Sequence, residues 1–172
     1  MTEVQPRCGD FGLAKIGGLA GAFVNFGQWF VGDFAPVQHA LVYVGDGMVV
    51  QAMPSGAELI RLEDASPVVK WSTGLVPLGD GEREVICREA KSLVGTPYSF
   101  LDYVSIALER FGFRSKLFRD IIESSDRLIC SQLVVEAYSR AGVDLFGAGK
   151  FPGDYTPGDL YNLLKNLESA DV

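Results

Sequence analysis

Val37-Gln38-His39-Ala40-Leu41-Val42-Tyr43-Val44-Gly45-Asp46-Gly47-Met48-Val49-Val50-Gln51-Ala52-Met53 consists of two mostly apolar, valine-containing runs joined by Gly-Asp-Gly. That composition around a three-residue glycine-rich loop reads as a β-hairpin. The loop pairs Val44 with Met48, and continuing the register sets Leu41 opposite Gln51. Because side chains alternate along a strand, His39 shares a face with Leu41 and lies diagonally across from Gln51. His39 is the only histidine in the chain, and imidazole is the side chain best suited to take up a proton near neutral pH. A Gln amide oxygen within reach accepts the ring N–H, holds one tautomer and turns the other nitrogen toward a proton donor.

Outward from the hairpin, apolar runs at 57–62, 68–71 and 75–78, punctuated by Pro54-Ser55-Gly56 and Gly79-Asp80-Gly81, predict further short strands of a small antiparallel sheet. Helical periodicity takes over at 82–94, 100–112, 115–123, 129–141 and 157–168. The last of these opens with Thr156 as N-cap and Pro157 at the first helical position. Strands followed by helices imply an α+β domain, a small antiparallel sheet packed against helices, and not a doubly wound parallel sheet. With 172 residues, 48% of them apolar, the chain is expected to form one domain with a substantial core. Residues 1–8 read as a flexible tail, 9–80 as the β-rich half carrying His39, and 81–168 as the helical half carrying Cys130.

From Ile16 to Gly32 the chain carries no charge, but Asn25, Gln28 and several glycines interrupt it. It is also shorter than the roughly 20 apolar residues of a spanning helix, so no membrane span is expected. Phe23, Phe26 and Phe30 fall on one helical face, a pattern that core packing explains most simply. Trp29 is the residue there that suits a substrate groove wall. The net charge of −7 and pI near 4.7 argue against nucleic acid or an anionic membrane surface as partner, since both select clustered Lys and Arg. The mixed charges at 114–127 read as a solvated helix face. Cys8, Cys87 and Cys130 are odd in number and irregularly spaced, which suggests neither a disulfide framework nor a zinc site, and leaves at least one thiol free. No metal or organic cofactor is implied. The start of the chain lacks a basic region followed by an apolar core, so no secretory signal is expected. The protein is then either cytoplasmic or delivered within a larger assembly.

In Leu128-Ile129-Cys130-Ser131-Gln132-Leu133-Val134-Val135-Glu136-Ala137-Tyr138, the residues Cys130, Leu133, Val134, Ala137 and Ala141 share one helical stripe. Cys130 therefore heads the inward face within the first turn. Unpaired N–H groups and the positive end of the helix dipole there favour a thiolate and suit a developing oxyanion. Taken singly, Cys130 reads as a small buried hydrophobe and His39 as a satisfied core histidine. Together they have the types needed for nucleophile and base, with Gln51 as orienter.

Gly95-Thr96-Pro97-Tyr98, then Ile129-Cys130-Ser131-Gln132-Leu133-Val134 and Ala141-Gly142-Val143, resemble the nucleophile region of the NlpC-like papain-fold cysteine hydrolases. The pattern of that family is Gly-x-Pro-Tyr, then Cys-Ser before an apolar helix, then a Gly-Val/Ile end. In its ordinary members the histidine follows the cysteine. Here it precedes, and Gly9-Asp10-Phe11, His39-Ala40-Leu41-Val42-Tyr43-Val44-Gly45 and Gln51-Ala52-Met53-Pro54-Ser55-Gly56 resemble the circularly permuted branch, which includes YiiX-like proteins and lecithin:retinol acyltransferase relatives. The resemblance spans roughly residues 9 to 145. It implies a circularly permuted papain-like fold with Cys130 as nucleophile, His39 as base and Gln51 as third polar residue, with Tyr98 and Ser131 beside the oxyanion or substrate. Gln51 departs from the His, Glu or Asn common at its position. The stretch from Tyr98 to Cys130 is longer than usual, and residues 100–127 are expected to form a helical hairpin, either packed or acting as a lid over the cleft. The implied activity is hydrolysis of an amide bond, first of all in peptidoglycan stem peptides, with a phage tail or cell-wall assembly as the partner that supplies targeting. The alternatives are acyl transfer or ester hydrolysis on lipid or small acyl substrates with the same residues, and a catalytically silent binding or assembly domain.

Overall fold

Gly45, Asp46 and Gly47 all take positive φ, at 89°, 53° and 70°, a backbone path that two glycines permit at little cost. This closes the hairpin as the sequence predicts: Val44 N–H donates to Met48 O at 2.9 Å, and Leu41 stands opposite Gln51. The computed structural model describes residues 5–15, 36–53, 55–96, 130–147 and 155–170. Within them five strands, β1 (Phe11–Ala14), β2 (His39–Tyr43), β3 (Met48–Met53), β4 (Gly56–Arg61) and β5 (Val68–Trp71), form an antiparallel sheet in the order β4-β3-β2-β1-β5. Helices α1 (Asp80–Ser92), α2 (Cys130–Arg140) and α3 (Pro157–Ala170) follow, so the domain is α+β. The Phe-rich stretch with Trp29, residue Tyr98 and the predicted helices at 100–112 and 115–123 lie outside the described residues. Among those described, no helix is long and apolar enough to cross a membrane.

Alternation along the central strands divides the sheet's two faces. Phe11, Leu13, Ala40, Val42, Val50 and Ala52 join Ile86 and Ala90 of α1, Leu133, Val134, Ala137 and Tyr138 of α2, and Leu160 and Leu164 of α3 in one buried core. Helix α2 lies against β2 and β3 and is flanked by α1 and α3. Each buried Leu or Phe contributes roughly 1.5–3 kcal/mol by leaving water, so this core is what seats α2 and its first residue, Cys130. Helix α3 starts as predicted. Asp159 N–H donates to the Thr156 hydroxyl, and the Asp159 carboxylate accepts from Thr156 N–H. That reciprocal cap satisfies orphan donors on both sides of the helix start.

The predicted strand at 75–78 is instead a turn. Leu75 and Val76 N–H both point back to Ser72 O, and Val76 folds into the core, so the apolar run reflects burial of a loop. Conversely, Phe11–Ala14, whose composition predicts no strand, forms β1 between β2 and β5 and is buried at every position.

The start of the chain departs from what its sequence predicts in two ways. Cys8 and Cys87 form a disulfide, with Cα atoms 6.3 Å apart, and Cys130 is the free cysteine. Arg7 and Cys8 are therefore not a loose tail. Gly9 N–H donates to Tyr43 O, and Arg83 of α1 donates to Cys8 O, which brings sulfurs 79 positions apart side by side. Sequence spacing alone holds no trace of that approach.

Beneath the disulfide, the Asp10 carboxylate is fully buried. It accepts from the Arg83 guanidinium at 2.7 Å, the Thr73 hydroxyl at 2.7 Å and Arg7 N–H at 2.8 Å. Tyr138 of α2 donates its hydroxyl to Gly9 O at 2.6 Å, and burial raises its pKa above the usual tyrosine value, so it remains a donor. Strand β1, α1 and α2 are thereby tied together at one end of the sheet.

Candidate active site

His39 is the first residue of β2 and Cys130 the first of α2, so two elements far apart in sequence begin at the same place. The His39 side chain is hydrogen-bonded to the Cys130 thiol on one side and to Gln51 on the other. All three are buried, at 2%, 5% and 5% exposure, which removes water as a competing partner for each. Cys130 also receives backbone hydrogen bonds at Ala40 and Ser131, the second within the first turn of its own helix.

The hydrogen bonds assign the protons. His39 Nε2 stands 2.8 Å from Gln51 Oε1, and an amide oxygen only accepts, so Nε2 carries hydrogen. Nδ1 is left to face the thiol and accept its proton. Which end of Gln51 faces the ring is decided one strand further out: Gln51 Nε2 donates to Glu58 Oε1 at 2.8 Å, and a carboxylate cannot donate in return. Glu58 stands directly across from Gln51 in the β3–β4 ladder. Thiol, imidazole, amide and carboxylate form an unbroken series from α2 to the edge strand β4.

Burial alone would push the His39 pKa down and the Cys130 pKa up, because each charged form loses hydration. Their mutual hydrogen bond and attraction outweigh this. His39 is raised, chiefly by Cys130 and further by Gln51 and the charge of Glu58, and Cys130 is lowered, chiefly by His39 and further by the Ala40 and Ser131 backbone. The two shifts favour the same state, a thiolate beside an imidazolium. Its stabilising contribution is lost as pH falls through the depressed Cys130 value and again as pH rises through the raised His39 value.

Cys130, His39 and Gln51 are thus brought together in the arrangement the hairpin register and helix stripe predict. Ser131 differs in its side chain: the hydroxyl is buried and donates to Tyr155 O, tying α2 to the approach to α3, and only its backbone reaches the cysteine. Tyr98 and Trp29 fall outside the described residues. Glu58 joins the site without any motif to mark it, although strand register carried through the next turn leads to it. Met53 pairs with Gly56 around Pro54-Ser55, and counting back sets Gln51 opposite Glu58. Among the described residues, no three His, Cys, Asp or Glu side chains gather in a metal-binding group. No family model, curated protein or solved structure matches this chain.

Proposed function

We propose that this protein is a cysteine hydrolase that cleaves an amide bond through a thioester on Cys130. The observation that carries the reading is the buried Cys130–His39–Gln51 series, in which the His39 pKa is raised and the Cys130 pKa lowered by their mutual contact. The thiolate attacks the carbonyl carbon, and the tetrahedral oxyanion is held by N–H groups at the start of α2, where the helix dipole is positive. His39 gives its Nδ1 proton to the departing amine as the C–N bond breaks, which leaves the acyl group on sulfur. Water, deprotonated by the now neutral ring, attacks the thioester and releases the acid, and the proton it gave up restores the imidazolium. Gln51 keeps hydrogen on Nε2 throughout.

The order of histidine before cysteine, the β-rich half followed by helices, and the resemblance to the permuted NlpC-like branch favour a circularly permuted papain-like fold. They also favour peptidoglycan stem peptides as substrate, with a phage tail or cell-wall assembly for targeting. Acyl transfer from a lipid or small ester would use the same residues. Incubation with purified peptidoglycan fragments and, separately, with lipid esters, with products read by mass spectrometry, distinguishes the two. New amine and carboxylate ends in wall peptides, absent with Cys130→Ala, are the expected result. Acyl loss from the esters alone, or no product from either, contradicts cleavage of wall-peptide amides as the activity.

A further inference from the structure

We infer that Glu58 is a positioning residue that sets which nitrogen of His39 acts as the base, by fixing the orientation of the Gln51 amide. The inference rests on the hydrolase reading of Cys130 and His39 and deepens it. Gln51 is chemically two-faced, since a half-turn of its amide exchanges an acceptor for two donors at nearly the same positions. With oxygen toward His39, Nε2 must hold hydrogen and Nδ1 is free to take the thiol proton. With NH2 toward His39, Nε2 must be the acceptor, hydrogen moves to Nδ1, and the ring presents a donor to Cys130. That flipped state has no base for the thiol.

The carboxylate of Glu58 selects the first state because it only accepts, and the 2.8 Å bond from Gln51 Nε2 satisfies it. It also places a negative charge beyond the amide that favours the imidazolium. Cys130 on α2 and Glu58 on β4 are the charged or titratable groups that act on His39 among the described residues. Glu58 is half-buried on an edge strand and touches the ring only through Gln51, so it orients and does not itself react.

The sole histidine makes this testable without a substrate. In uniformly 15N-histidine-labelled protein, every imidazole signal belongs to His39. Wild type is expected to show Nε2 protonated in the neutral ring, and Cys130 to be alkylated by iodoacetamide faster at neutral pH than in unfolded protein. Glu58→Gln still offers Gln51 an acceptor but can also donate and carries no charge, so the tautomer preference should weaken and alkylation fall about two- to threefold. Glu58→Ala frees the amide and should cost roughly tenfold. Glu58→Lys supplies a donor, inverts Gln51, and should move hydrogen to Nδ1 while slowing alkylation by about a hundredfold or more.

Circular dichroism on each variant separates these effects from misfolding. A wild-type ring without Nε2–H, or an unactivated Cys130, would overturn the hydrolase reading itself. An activated wild type whose tautomer and alkylation rate are unchanged in folded Glu58→Ala and Glu58→Lys would overturn the role of Glu58 alone.

Discussion

Cys130→Ala and His39→Ala are each expected to lower turnover by about a thousandfold or more while leaving the fold intact, because one removes the covalent route and the other the only imidazole. Cys130→Ala removes a single sulfur from the edge of the core, and His39 is not among the apolar side chains that seat α2. The double variant should be little worse than either single one, since groups that act as a unit are not additive. Gln51→Ala stands apart. It removes one hydrogen bond to the ring, worth on the order of 1 kcal/mol or somewhat more, and should cost roughly tenfold, with measurable activity remaining. Steady-state rates on whichever substrate the product assay identifies provide the check. A His39→Ala protein with near wild-type turnover would mean that the site has the form of a catalytic centre without its chemistry.

The largest expected loss of stability lies at the other end of the sheet. Asp10→Ala strands the Arg83 guanidinium, 8% exposed, without its carboxylate, and it also removes the partner of Thr73 and of Arg7 N–H. Breaking a buried pair from one side typically costs about 3–5 kcal/mol. In a domain of this size that corresponds to a fall in Tm of roughly 10 °C. Asp10→Asn keeps an acceptor for Arg83 and should fall between the two. Thermal unfolding followed by circular dichroism, with the Cys8–Cys87 disulfide kept oxidised in all samples, measures the series. A shift below about 2 °C for Asp10→Ala would show that Arg83 finds hydration or another partner.

The parts of the fold legible in the sequence are those set by local chemistry. Gly45-Asp46-Gly47 specifies its turn, the turn specifies the register, and the register puts Gln51 beside His39. The stripe from Cys130 to Ala137 is buried as its 3.6-residue spacing requires. What escaped depends on contacts distant in sequence. Phe11–Ala14 is four residues with a glycine among them, and it becomes a strand only because β2 and β5 offer hydrogen bonds on both sides. The run 75–78 looks like a strand by composition, yet Ser72 captures its N–H groups and the core takes Val76. The Cys8–Cys87 pairing follows from the N-terminal segment lying against α1, an approach secured by Asp10 and Arg83. Glu58 differs from these, for its place opposite Gln51 was within reach of the same counting that located Gln51.

An ion pair between Cys130 and His39 is read out by the rate of Cys130 alkylation against pH. The disulfide removes Cys8 and Cys87 from the reaction under non-reducing conditions, so Cys130 is the thiol that reports. With the pair formed, the rate should stay high to pH values well below the ordinary thiol range, because His39 holds Cys130 as thiolate. His39→Ala should reverse the direction: with the imidazole gone, burial dominates, and the same rate should be reached only above the ordinary thiol range. A wild-type profile that matches an unfolded cysteine, or a His39→Ala profile that superimposes on wild type, would mean that no such pair forms.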